Sequence, residues 1–547
     1  MMGDIPMRST RPLFGFLLGT VMLLGLIDAS PTEAQTPKRG GTLRVSYGNE
    51  IAGLDFHTSP GYEMMWVGMN VGCGLINITP DGKFVPDAAE SWQMSSDGLL
   101  YTFKLRKNVL FHDGTPVDAA AVKFSIERIM DPATKSGMRP FYESVHSVEV
   151  LDPLTVQVRL KHPYAFMFHM LAGYRTGLVL YSPTATQKYT VEDRKQGKPE
   201  AVVGCGPFKL VEWVKGSHLV MDRFDKYFEP GRPYVDRVVI RVIKDPVTEM
   251  AAFKNGEIDF IASFSPDHVD TLKAQSPKAH IMSGKETTPM VAQMKVTVPK
   301  DGRPMSVERA PHPIFGDVRV RKAVGCYGID RQEIVKIAFK GQATPWVGMA
   351  PPGTLESVNV NHVCPYDQGK AKALLAEAGY GPAKPLTLEL MTNNEKSVFS
   401  VIATVVKEQL ARVGVTANIR VVDKVSWMNT TLQDGPWDMY VEDLLSLLTI
   451  DSNGYLSTAY VSKNSSVWSH PRHTDTKVDD YYARYAREMD SAKRKAIGKE
   501  LLEYMVDKMY WNTISGSPFY MVSQPWVKGY VYNAEFEVHW GNVWLDK

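Results

Sequence analysis

The chain has 547 residues, 44% of them apolar and 22% charged, with a formal net charge of +2. That is enough for two or three domains with an ordinary globular balance, which excludes a disordered or fibrous protein. Residues 1–34 hold two Arg against two Asp and one Glu, so the rest stands at about +3, too little to point to nucleic acid or an anionic membrane surface.

Arg8 and Arg11 precede a mostly apolar run, 13–27, and then small and polar residues ending in Thr32-Glu33-Ala34. This is the order of a secretory signal, and cleavage is expected after Ala34. An N-terminal membrane anchor is the alternative, although the run is short and no later stretch offers the ~20 apolar residues of a second span. The first cysteine is Cys73, so a lipid anchor is not expected.

Leu43 to Tyr47 alternates as a strand and leads through Gly48 and Gly53 to Leu54-Asp55. Tyr62, Met64, Met65 and Trp66 follow; these large, adaptable side chains either line an apolar pocket or pack a core. After the Asp97-Gly98 turn, Tyr101, Phe103 and Leu105 alternate with Thr102, Lys104 and Arg106, a strand with one buried face. Asp118 is placed to cap a helix carrying Val122, Ile126 and Ile129 on one side, with Asp131-Pro132 as its stop. Residues 145–150 and 155–160, joined through Asp152-Pro153, read as a hairpin. Phe166 to Tyr174 is apolar and aromatic, and Arg175 follows it; its planar fork of donors suits a ligand carboxylate, or reaches out to water.

The glycines of Gly204-Cys205-Gly206-Pro207 precede the strand from Phe208 and lack a following Gly-Lys-Ser/Thr, so they are not a phosphate loop. Arg237 to Ile243 reads as a strand and Val247 to Lys254 as a helix before the Gly256 turn. Met294 to Val298 is strand-like, and 299–313, with four prolines, reads as an exposed loop. Asp367 caps a helix that stops at Gly379. The strand from Leu386 to Leu390, the helix from Ser397 to Val413 and the strand from Val415 to Val421 predict a right-handed crossover and a parallel pair. Residues 478–508 are charge-rich and helical, and 509–520 are apolar.

His112-Asp113 invites an acid-base reading, but the following Gly-Thr-Pro explains the pair as a turn. His470-Pro471-Arg472-His473 with Asp475 invites a metal reading; the proline opposes helical spacing, and the polar surroundings predict a solvent loop. Gly-x-Ser-x-Gly and His-Glu-x-x-His are absent, which disfavours a secreted hydrolase. No catalytic residue, metal or cofactor is expected.

Taken together, Glu90-Ser91-Trp92, Tyr101 to Arg106, Phe111-His112-Asp113-Gly114-Thr115-Pro116, Val203 to Leu210, Asn255 to Phe260, and Phe315 to Ala323 with Gly328 to Arg331 form a recognisable series. Their order resembles that of the extracellular solute-binding proteins of family 5, the peptide- and nickel-type receptors of ABC importers. The resemblance implies an α/β, two-lobed periplasmic-binding-protein fold with mixed sheets, a hinged cleft and an extra subdomain in the first lobe. It implies a periplasmic monomer that traps a small solute and hands it to an inner-membrane permease. A nickel-chelate or other metal-complex receptor is the alternative. The expected division is a signal at 1–34, a first lobe at 35–286 with a subdomain at about 60–200, a second lobe at 287–508, and a return to the first lobe at 509–547. Segment 299–313 departs from the family, which usually carries a shorter connection there. The four cysteines either form disulfides or stay buried and reduced; a bond across the lobes would lock the hinge, so of the three pairings open to bridges, Cys73 with Cys205 and Cys326 with Cys364 is the one expected.

In the peptide receptors of this family, an aspartate after a second-lobe strand pairs with the ligand's α-amino group, and tryptophans pack nearby. Aligning Asp451-Ser452-Asn453-Gly454 with the family's turn puts the anchor's position at Leu448 and the adjacent tryptophan's at Leu445, with the upstream aromatic kept as Trp427. A buried ammonium without a partner costs several kcal/mol, whereas each buried methylene contributes ~0.8 kcal/mol. The expected ligand is therefore apolar or carboxylate-bearing rather than a free-amine peptide, with Leu445, Leu447, Leu448 and Trp427 against it. A shifted alignment would instead make Asp443 or Asp451 the anchor. Tyr62, Trp66 and Arg175 complete the candidate ligand-binding set.

Overall fold

The alternation at Tyr101, Phe103 and Leu105 does bury one face: all three are in the core while Lys104 is exposed. Their strand, Leu100–Leu105, lies in a four-stranded antiparallel sheet between Ala89–Met94 and Thr155–Leu160, with Val145–Asp152 beyond. Helix Ala119–Met130 covers it with Val122, Ile126 and Ile129, capped by Asp118, whose side chain accepts from the Ala121 amide. The computed structural model describes residues 36–51, 53–58, 62–79, 81–172, 178–284, 286, 288–303, 306, 308–354, 356–444, 452–459, 472–517, 519–531 and 539–547.

Around this subdomain stand two larger sheets. The first has seven strands in the order His280–Ser283, Tyr520–Ser523, Phe260–Phe264, Thr42–Tyr47, Arg237–Val242, His218–Arg223, Phe208–Val214. Its centre is parallel, because Thr42–Tyr47 runs alongside both Arg237–Val242 and Phe260–Phe264. The second has five strands in the order Val415–Val422, Leu386–Asn393, Met439–Asp443, Thr288–Met294, Thr513–Ser517. Leu386–Asn393 pairs in parallel with Val415–Val422, as the strand-helix-strand pattern predicts, with helix Ser397–Arg412 between them; it also pairs in parallel with Met439–Asp443. This is a two-lobed α/β fold with mixed sheets.

The chain passes between the large sheets twice, from Ser283 to Thr288 and from Ser517 to Tyr520. Strand Thr513–Ser517 belongs to the second sheet, so the second crossing follows it; the expected return at 509 precedes that strand. At the crossings Glu286 accepts from the Thr344 amide at 2.9 Å, and a Cβ on Gly516 would stand 2.4 Å from Glu286 Oε2. Only a glycine admits that approach.

Both expected disulfides are present, Cys73–Cys205 with Cα atoms 5.3 Å apart and Cys326–Cys364 with Cα atoms 5.1 Å apart. Gly204 and Gly206 flank the first bond because the chain there passes directly over Val71 and Gly72: added Cβ atoms would stand 2.2 Å from Val71 O and 2.5 Å from Gly72 O.

Two expectations for loops are corrected. Segment 299–313 is exposed at 300–303 and 308 as expected, but its base is not free: Thr297–Pro299 and Arg309–Pro311 pair as a short hairpin, and the Arg309 and His312 side chains are buried toward Asp434 and Asp438. Arg472 and His473 are likewise buried rather than solvated. Polar composition suggested water, but the Arg472 guanidinium bonds Asp434 and the Thr431 carbonyl, and the His473 ring stacks on Tyr510. The hairpin follows Thr288–Met294, which runs antiparallel to Met439–Asp443, so it lies at the end of the second sheet where that neighbour begins.

Candidate functional site

In open α/β sheets, ligands gather beyond the carboxyl ends of parallel strands, where loops diverge. In the second lobe those ends are Asn393, Val422 and Asp443, and the loops beyond them place Glu395, Lys396 and Lys424 together. In the first lobe they are Tyr47, Val242 and Phe264. The two edges meet: Ser397 Oγ donates to Asp267 Oδ2 at 2.5 Å, one residue after Lys396 and three after Phe264.

The second-lobe edge is a charge cluster. Lys396 Nζ lies 2.5 Å from Asp443, and Lys424 Nζ lies 2.9 Å from Glu395 and 3.2 Å from Glu442. The Asn393 amide donates to the other Glu442 oxygen. The lysines are the exposed members, at 49% and 39% of their side chains, above Asp443 at 15% and Glu442 at 0%. Burial pushes the Glu442 carboxyl above the usual range against the pull of Lys424. Burial also pushes Asp443 up, but Lys396 more than offsets it and holds that carboxyl low.

Trp427 anchors the cluster from below. It lies on helix Lys424–Leu432, whose N-cap Asp423 accepts from the Ser426 amide, and its ring is nearly perpendicular to Tyr440 at 5.3 Å. The Lys424 ammonium sits 4.9 Å from the ring centroid, a cation–π contact that keeps it over the edge. Trp66 takes the other role open to it, buried in the first-lobe core with its ring 4.3 Å from Tyr47. Tyr62 opens helix Tyr62–Val71, with its side chain outside the described atoms. Arg175, Leu445, Leu447 and Leu448 lie outside the described residues, as does Asp451.

The subdomain reaches the second lobe as well. The Ala165 amide donates to Ala486 O at 2.8 Å, Asn453 meets the Tyr164 hydroxyl at 3.3 Å, and Arg494 sits 5.3 Å from the Phe166 ring. His112 and Asp113 do form a turn: His112 contacts the Gly206 carbonyl, while Asp113 accepts from Thr115 and Ser182. Among the described residues, no group of three His, Cys, Asp or Glu is placed to hold a metal.

Sequence reasoning singled out Asp443 only as an alternative anchor and passed over Asn393, Glu395, Lys396, Lys424 and Glu442. The signal was available, since the parallel pair had been recognised and each residue lies at or just beyond a strand end.

The sequence model of bacterial extracellular solute-binding proteins, family 5 (Middle), matches residues 83–466. The chain belongs to family 5. As a member it is a transport receptor and not an enzyme, a binding protein of the ABC-importer type that takes small ligands. It is 29% identical over 445 residues to the glutathione-binding protein GsiB of Escherichia coli K12, covering 80% of this chain and 81% of that one. It is similar to the binding protein AgaA of A. tumefaciens R10, solved with agropinic acid, at 27% identity and a TM-score of 0.77, with 93% of this chain and 99% of that one covered. The fold is shared with the oligopeptide-binding protein AppA of Bacillus subtilis, solved with a nonapeptide, at 21% identity and a TM-score of 0.79, covering 94% and 100%.

Proposed function

We propose that the protein is the periplasmic receptor of an ABC importer for a small carboxylate-bearing solute, freed by removal of residues 1–34 and trapped between a first lobe ending near 286 and a second lobe beginning near 287. The observation that carries the ligand class is the layering of the cluster: the half-exposed side chains of Lys396 and Lys424 above the buried carboxyls of Asp443 and Glu442. A solute carboxylate meets the cations first, whereas a solute amine would have to displace a lysine from its partner. Charge-assisted bonds of that kind are the stronger ones a cleft offers. Leu445, Leu447 and Leu448 supply the apolar side in this reading, and Trp427 holds Lys424 in place. The related receptors, one named for glutathione and one solved with agropinic acid, support a small solute. Closure follows because a ligand touching both lobes binds the closed form better and shifts the population to it.

Native mass spectrometry of protein taken from the periplasm, followed by calorimetry with the identified solute and its carboxamide, tests the reading. The acid is expected to bind at least tenfold more tightly than the amide, about 1.4 kcal/mol, with the difference lost in Lys424→Ala. Micromolar binding of unmodified di- to pentapeptides that disappears in Asp443→Ala would overturn it.

A further inference from the structure

Helix Ser397–Arg412 begins without a cap of its own, because its N-cap residue, Lys396, makes no side-chain bond to the first amides. A sixteen-residue helix presents partial positive charge at that end, and an anion there is stabilising. One anion at that end comes from the other lobe. Asp267, in the turn Pro266–His268 just beyond strand Phe260–Phe264, accepts from Ser397 Oγ at 2.5 Å across 130 positions of sequence. Both side chains are exposed, and an ion pair also spans the lobes nearby, Lys340 with Asp270 at 3.6 Å, its two side chains two-thirds exposed and the charges farther apart. Screening leaves such a pair little weight.

We propose that Asp267 and Ser397 form an interlobe latch: a first-lobe carboxylate that accepts from the hydroxyl of the first residue of a second-lobe helix only when the lobes are together. The contact belongs to neither core, so it stabilises the closed arrangement without stabilising either lobe. Its strength sets how often the ligand-free receptor closes, and hence the fraction of molecules in the ligand-competent state. The latch rests on the two-lobed fold alone and is indifferent to which solute is carried.

The test uses ligand-free mature protein with spin labels on Lys215→Cys in the first lobe and Lys372→Cys in the second, both exposed positions. Pulsed dipolar spectroscopy then reads the ratio of short to long interlobe distances. Asp267→Ala and Ser397→Ala are each expected to lower that ratio about threefold, the size of one charge-assisted bond between exposed groups. The double variant should be no worse than either single one, because both remove the same contact. Thermal midpoints should stay within about 1 °C of the parent, since only surface groups change. Unchanged ratios in both single variants would overturn the latch. So would additive losses in the double variant, or a parent protein with no short-distance population.

Discussion

Asp55 and Arg128 are joined by two hydrogen bonds, 3.1 Å to Oδ1 and 2.6 Å to Oδ2, with the carboxylate wholly buried. The same carboxylate accepts from Arg194 Nε at 2.8 Å. One acid thus ties the loop after strand Thr42–Tyr47 to subdomain helix Ala119–Met130 and to helix Val191–Lys195. Asp55→Ala leaves two guanidinium groups buried without their partner. A loss of about 3–5 kcal/mol is expected in denaturant unfolding. A loss under 1 kcal/mol would show that water replaces the carboxylate.

The disulfides close loops of 132 and 38 residues. By chain entropy they restrict the unfolded state by about 5 and about 4 kcal/mol respectively. Replacing Cys73 and Cys205 together by Ser should therefore lower stability slightly more than replacing Cys326 and Cys364. Each bond lies within one lobe, so neither replacement should alter the ligand-induced change in radius of gyration seen by small-angle scattering.

Glu249 is buried on helix Pro246–Lys254, and burial raises its carboxyl from 4.5 to about 7, the Ser46 hydroxyl pulling only weakly the other way. A folded-state pKa above the unfolded one gives stability that is full below pH 4.5 and is lost as pH rises through 7. Glu249→Gln removes that loss. Its advantage over the parent in thermal midpoint should grow between pH 4.5 and 7 and then level off, on the order of 3 kcal/mol. A difference independent of pH would refute the assignment.

Arg309 anchors the hairpin of Thr297–Pro299 and Arg309–Pro311 through Asp434, at 3.0 and 3.2 Å, and through the Thr297 carbonyl at 3.0 Å. Arg309→Ala should speed proteolysis between residues 300 and 308 at least tenfold, by raising the local opening population. The hairpin sits away from the carboxyl ends of the parallel strands, so solute affinity should not change. A loss of affinity would place the hairpin in the cleft.

The local grammar of this chain was readable because it acts over a few residues. Tyr101, Phe103 and Leu105 declare their buried face by alternation, and Asp118 its cap by position. The cysteine pairing followed from one mechanical demand, that the hinge stay free. The charge cluster was harder, since Asn393 and Glu442 come from the ends of two strands and Lys424 from the start of a helix, and their convergence depends on strand order. Arg472 was misjudged for a related reason: its partner Asp434 lies 38 positions away, and composition alone cannot reveal a buried ion pair. Trp66 had two equally good uses, and its burial against the Tyr47 ring depends on a strand that local pattern does not bring to it.

The position of Tyr520–Ser523 bears on how the molecule is made. This strand lies inside the first sheet, between His280–Ser283 and Phe260–Phe264, although it follows every strand of the second sheet in the chain. Until it is synthesised, two strands of the first lobe have an open gap between them, and that lobe can only be completed after the whole second lobe has emerged. Domains that fold as contiguous units can finish in order of synthesis; here the beginning waits for the end. A chain stopped at residue 508 should leave its first lobe as an unfinished sheet with an exposed edge, prone to pair with its own copies.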